Sequence, residues 1–176
     1  MIAVELSLQT QTEPDPELEA LWQQRLSRWL TDLQPRLATP LRQPAYELSL
    51  RLTDDAEVHQ LNRDFRQIDR PTDVLSFAAL EAAPIPGSAE MADDEPLYLG
   101  DIVISLETSA RQALAGGHSQ RVEDAWLAAH GLLHLLGWDH PDDESAIAML
   151  ELQEELLRAV ELVPPHWECS GQSLGD

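Results

Sequence analysis

Three histidines in the C-terminal third carry the strongest chemical signal in this chain. His130 and His134 stand four residues apart, and His140 follows after Gly137-Trp138-Asp139. On a helix, residues i and i+4 share a face about one turn apart, so two imidazoles there can close on one ion. Gly137 lets the chain leave the helix and reverse, which brings His140 back as a third ligand. Three neutral imidazoles leave one position of a tetrahedral ion open, the catalytic pattern. A structural zinc site usually adds a fourth protein ligand, typically Cys. Three of the six histidines fall within these eleven residues, which sets them apart from ordinary core histidines. Asp139 is placed either to orient a ligand imidazole or to cap the next turn. One Zn2+ is the expected ion; three imidazoles also suit nickel or copper.

The spacing matches the metzincin pattern of zinc proteases, including the glycine at the eighth position. Those proteases carry a general-base Glu at the second position, where this chain has Gly131. The ligand frame is present and the proteolytic base is missing, so another group must manage the proton. A second dense segment, Leu61 to Phe77, holds Arg63, Arg66 and Arg70, three of the eleven arginines within eight residues. Guanidinium offers a planar fork suited to phosphate oxygens. Arg63 and Arg70 are expected to pair with Asp64, Asp69 and Asp73, which leaves Arg66 as the anion contact. His59, His118 and His166 are isolated and fit surface or packing roles. Trp126 and Trp138 flank the histidines and read as core.

The bulk composition narrows the partners. All eleven basic residues are Arg, against 32 acids, for a formal net charge of -21. Such a surface repels polyanions at long range and argues against broad nucleic-acid binding or docking on acidic lipid. No DNA partner and no membrane partner is expected. A single cysteine, Cys169, cannot form an internal disulfide and fits a reducing compartment. The first basic residue is Arg25 and no apolar run is long enough to cross a bilayer, so the reading is cytoplasmic.

The histidines need a scaffold, and the patterning supplies one. Ile2 to Leu8 reads as a strand. Asp15-Pro16 gives an N-cap and a first-turn Pro for an amphipathic helix, with apolar residues at 18, 21, 22, 26, 29, 30 and 33. Tyr46, Leu48, Leu50 and Leu52 alternate with polar residues as a half-buried strand. Asp54 and Glu57 form a capping pair for a short helix to about Asn62. Thr72 to Phe77 and Asp101 to Ser105 read as strands, separated by a mobile Pro-rich acidic loop from Ala82 to Pro96. Helices follow from Glu107 to Ala115, from Ser119 to Leu136, and from an Asp142 or Asp143 cap to about Leu162. The expectation is a single α+β domain, residues 1–163: a small mixed sheet packed against helices, with the metal ligands on a central helix. Residues 164–176 read as a disordered tail.

These residues also resemble a family. The run from His130 to His140 looks like the signature of the YbeY family of bacterial endoribonucleases, the ribosomal RNA maturation factors. Leu61-Asn62, Phe65-Arg66, Asp69 and Pro71 to Phe77 resemble its second motif, and Leu99 to Ile102 with Ile104 its third. The similarity runs from about Tyr46 to Leu162. Ala78 stands where the family usually has Pro, and Phe65 where it has Tyr. The resemblance implies metal ligands at His130, His134 and His140 and an important arginine at Arg66. It implies cleavage of single-stranded RNA, maturation of the small-subunit ribosomal RNA 3′ end, and ribosome quality control. Its partners are then an rRNA precursor and the small subunit or its proteins. Two other readings are a zinc peptidase or amide hydrolase, disfavoured by Gly131, and a non-catalytic ribosome-assembly factor with a structural metal. For the RNA reading, attack comes either from water activated at the metal or from the RNA 2′-hydroxyl. The general base stays open, with Asp139 or a second water as choices.

Overall fold

Alternation and capping place most elements where the pattern puts them. The structure is a computed structural model and describes residues 2–82 and 95–165. Strand β1 (Ala3–Thr10) lies parallel to β2 (Ala45–Thr53), and β2 parallel to β4 (Leu97–Ser105). Strand β3 (Val74–Ala78) runs antiparallel to β4 and forms the edge, giving the order β1-β2-β4-β3. The mixed sheet makes this an α+β fold.

Helix α1 (Pro16–Leu33) starts where Asp15 accepts from the backbone N–H groups of Glu17 and Leu18. Helix α2 (Asp55–Arg66) starts at Asp54, whose carboxylate accepts from Glu57 N–H. The Glu57 side chain does not return the bond; it holds Arg51 and Thr53 instead. Helix α2 also runs one turn past Asn62, to Gln67 in the left-handed region (φ 59). A short helix α3 (Ala79–Ala82) follows β3 and was not expected. Helix α4 (Leu106–Gly116) ends on Gly117, φ 71, and Ser119 caps α5 (Gln120–Leu135). Helix α6 (Asp143–Ala159) begins in a capping box between Asp142 and Ser145. It stops three residues short of Leu162, whose N–H folds back onto Leu157 O. Most of the expected loop Ala82–Pro96, and the expected tail beyond Pro165, lie outside the described residues.

The core lies between one sheet face and α1, α5 and α6. Leu48, Leu50, Ile102 and Ile104 fill it from the strands, and Trp29 ties α1 to α6 by donating to Leu156 O at 2.7 Å. A bulge shifts the alternation of strand β4 by one residue while keeping its apolar side chains on one face. The register skips between Glu47 and Leu48, opposite Gly100. Leu97 and Leu99 before it and Ile102 and Ile104 after it therefore all face the core. Gly100 has φ 128, and a Cβ there would stand 2.0 Å from Phe77 O.

Helix α5 is buried on nearly every side from Ala125 onward, where its sequence turns apolar. It rests on the sheet at Gly131, where a Cβ would lie 2.8 Å from Ile102 Cγ2 and 3.1 Å from Ser76 Oγ. Gly131→Ala gains helix propensity of about 1 kcal/mol but overpacks this contact by roughly 1–3 kcal/mol. A lower denaturant midpoint at unchanged m-value is expected in urea unfolding; a raised midpoint would contradict the close packing.

Candidate metal centre

The last turns of α5 carry His130 and His134 on one face, and the turn at Gly137 (φ 101) returns His140 to them. One nitrogen from each of the three rings lies within 4.8 Å of the others, and ring centroids are 4.5, 5.3 and 5.7 Å apart. The Nε2 atoms of His130 and His134 stand 3.0 Å apart. A tetrahedral zinc spaces its nitrogen ligands by about 3.3 Å, from bonds of about 2.0 Å.

Partners behind the rings set which nitrogens carry protons. The Gln153 side chain on α6 is fully buried, and its amide N–H donates to Trp126 O at 3.4 Å. Its Oε1 therefore faces His130 Nδ1 at 3.1 Å and accepts from it. That leaves the lone pair of His130 on Nε2, toward the cluster. His134 hydrogen-bonds the Trp138 backbone in a contact that favours the protonated ring, so it spends an N–H there. Its remaining nitrogen also points a lone pair inward. Two lone pairs 3.0 Å apart repel unless a cation sits between them. His140 Nε2 is buried with no hydrogen-bond partner among the described residues. Burial, with His130 and His140 alongside, pushes His134 down to about 4 from an ordinary 6.5, so it is neutral at pH 7. The donor set thus fits a divalent ion.

The cluster opens into a cavity of about 630 Å³ lined by His134, His140, Trp138, Arg66, Ser76 and Glu81, among others. Arg66 comes from the last turn of α2 and donates to Ser76 O on the β3 edge, which holds its guanidinium at the rim. Asp139 is exposed and accepts from its neighbour His140 N–H at 2.8 Å, so it shapes the loop. Gln153, not Asp139, stands behind a ligand ring, and nothing in its local sequence marked it. Arg63 pairs with Asp64 as expected (3.3 Å), whereas Asp69 takes His59 (2.7 Å) and Arg70 forms no ion pair among the described residues. His118 is not a surface residue: it packs half-hidden against the buried Glu123. Trp126 is core, while Trp138 is half-buried and lines the cavity. His166 lies outside the described residues.

Comparison with known proteins places this arrangement in a family. The sequence model of a family described as Endoribonuclease YbeY matches residues 8–161. The chain belongs to the endoribonuclease YbeY family. Among curated members, the Endoribonuclease YbeY of Synechococcus elongatus is 56% identical over 147 residues, covering 83% of this chain and 82% of its own. That of Gloeobacter violaceus is 52% identical over 161 residues, covering 92% and 77%. The solution structure of TM1509 from Thermotoga maritima superposes with a TM-score of 0.52 over 97% of this chain and 99% of its own, at 22% identity, so the likeness there is one of fold. The peptidase and structural-metal readings find no support in these comparisons.

Two outcomes follow from the geometry. Gln153→Leu removes the acceptor facing His130 Nδ1 and is expected to weaken zinc binding about 10- to 100-fold in a chelator-competition titration, while the fold persists by circular dichroism. His134 gives the metal-free protein a pH signature. Its folded pKa, about 4, lies below the unfolded 6.5, so the unfolded chain binds more protons between them. Its contribution is complete above about pH 6.5 and is lost as pH falls toward 4. With chelator present, His134→Asn should therefore show a shallower loss of stability over that window than the parent; equal slopes would refute the buried neutral ring.

Proposed function

We propose that this protein is a metal-dependent endoribonuclease that cuts single-stranded RNA, with His130, His134 and His140 holding one zinc ion and Arg66 gripping the scissile phosphate. The observation that supports it most is the shared cavity: His134 and His140 of the three-histidine cluster and the exposed Arg66 guanidinium line the same space. A divalent ion bound there supplies Lewis acidity toward phosphate oxygens and acidifies water. Arg66 offers a fork of N–H donors to the non-bridging oxygens, and its bond to Ser76 O means little reorganisation is needed as charge develops. Burial keeps His134 neutral, while Gln153 and the Trp138 backbone orient the rings of His130 and His134. Gly131 leaves the position of a proteolytic base without a side chain, against Ile102 and Ser76. Proton transfer then falls to Asp139 or to water.

Within the cell we assign this activity to a single domain, residues 1–163, in the cytoplasm. Its role there is maturation of the small-subunit rRNA 3′ end and ribosome quality control. Among the described residues no helix is long and apolar enough to cross a membrane. The net charge of -21 favours delivery of the RNA by a basic small-subunit protein over capture of free RNA. The test is cleavage of single-stranded and duplex RNA by parent, His134→Ala and Arg66→Ala. Loss of activity in His134→Ala and a drop of about 10²- to 10³-fold in Arg66→Ala are expected, with the duplex spared. Parent-like cutting by both variants, with contaminating nuclease excluded, would defeat the assignment.

A further inference from the structure

The metal cavity uses one face of the edge strand β3; the other face carries a second hollow that the reaction above leaves unused. Ser76 and Ala78 line the metal side, whereas Leu75 and Phe77 pack beneath α2. Phe65, on the last turn of α2, is 68% exposed, more than any other aromatic among the described residues. Helix α2 has no packing need for it, since Val58 and Leu61 already bury its sheet-facing side. Its ring meets Phe77 edge-on, centroids 5.6 Å apart, over a groove of about 370 Å³. Ser49, Arg51 and Asp101 add polar atoms to its largely apolar lining. Arg66 joins the two sites: it lines the metal cavity, and its guanidinium carbon lies 5.6 Å from the Phe77 ring centre.

Resting on the RNA-cleavage reading, we propose that an unpaired base beside the cleaved phosphodiester stacks on Phe65 in this groove, with the backbone crossing the β3 edge at Arg66. A chain with 32 acids and eleven arginines draws little affinity from phosphates. Stacking on an exposed ring needs no net charge, tolerates any base, and excludes a base still locked in a duplex. The groove's apolar lining suits a base face, and the neighbouring guanidinium meets the phosphate. Phe65 thereby contributes both affinity and strand selectivity.

The test is equilibrium binding of a short single-stranded RNA made cleavage-resistant by 2′-O-methyl and phosphorothioate linkages, using the full metal-loaded chain. Phe65→Ala should bind roughly ten-fold more weakly, by the same factor at low and high salt, while Phe65→Tyr and Phe65→Trp stay near the parent. One abasic position in the RNA should cause the same loss and make Phe65→Ala silent. Parent-like affinity in Phe65→Ala, or losses that add, would overturn the proposal. So would unchanged RNA binding combined with lost association with small-subunit proteins, which would assign the groove to a protein. Phe65-dependent binding with unmodified RNA left uncut would keep this inference and defeat the nuclease reading; cleavage with Phe65-independent binding would do the reverse.

Discussion

The close seating of α5 on the sheet at Gly131 is the constraint on which the site depends. With no side chain there, the helix backbone comes down onto Ile102 and Ser76. That depth sets where the last turns of α5 emerge beside β3, and so where His130 and His134 meet the returning loop. The same contact explains a chemical absence. A carboxylate next to the first ligand would need the volume that Ile102 and Ser76 already occupy, so the helix cannot lie this deep and also carry a base at that position.

Electrostatics divide the work between the imidazole cluster and one guanidinium at the cavity rim. His134 is kept neutral by burial and by the rings beside it, and Gln153 and the Trp138 backbone engage His130 and His134 from behind, so their remaining nitrogens converge. The surrounding surface is strongly acidic, which makes a guanidinium fixed at the cavity rim more selective than it would be in a basic protein. Arg66 is held by a main-chain carbonyl rather than by a carboxylate, so its charge is not neutralised by that anchor.

Local signals were legible wherever one residue both marks and makes a boundary. Asp15, Asp54, Ser119 and Asp142 each cap the helix they announce, and Tyr46 to Leu52 alternate because one side is core. Other features depend on contacts distant in sequence. The run beyond Asn62 lacks buried apolar residues, so the final turn of α2 carries no periodic mark; Phe65 there faces water. The bulge at Gly100 breaks the alternation that would reveal β4 in full. Antiparallel pairing of β3, and its edge position, follow from the packing of the whole sheet. At the site, the i,i+4 histidines and the glycine turn were readable as spacing. Gln153 was not, because a buried glutamine in an amphipathic helix looks like any polar residue until its neighbours across 23 positions are known.

That glutamine gives the last helix a stake in the ion. Because Gln153 reaches His130 from α6, seating of α6 and the binding of any metal by the cluster would be coupled equilibria, each strengthening the other by thermodynamic reciprocity. Anything that loosens α6, from a distant lesion to a protein docking on its outer side, therefore acts as a remote control on the ligand field without touching a ligand.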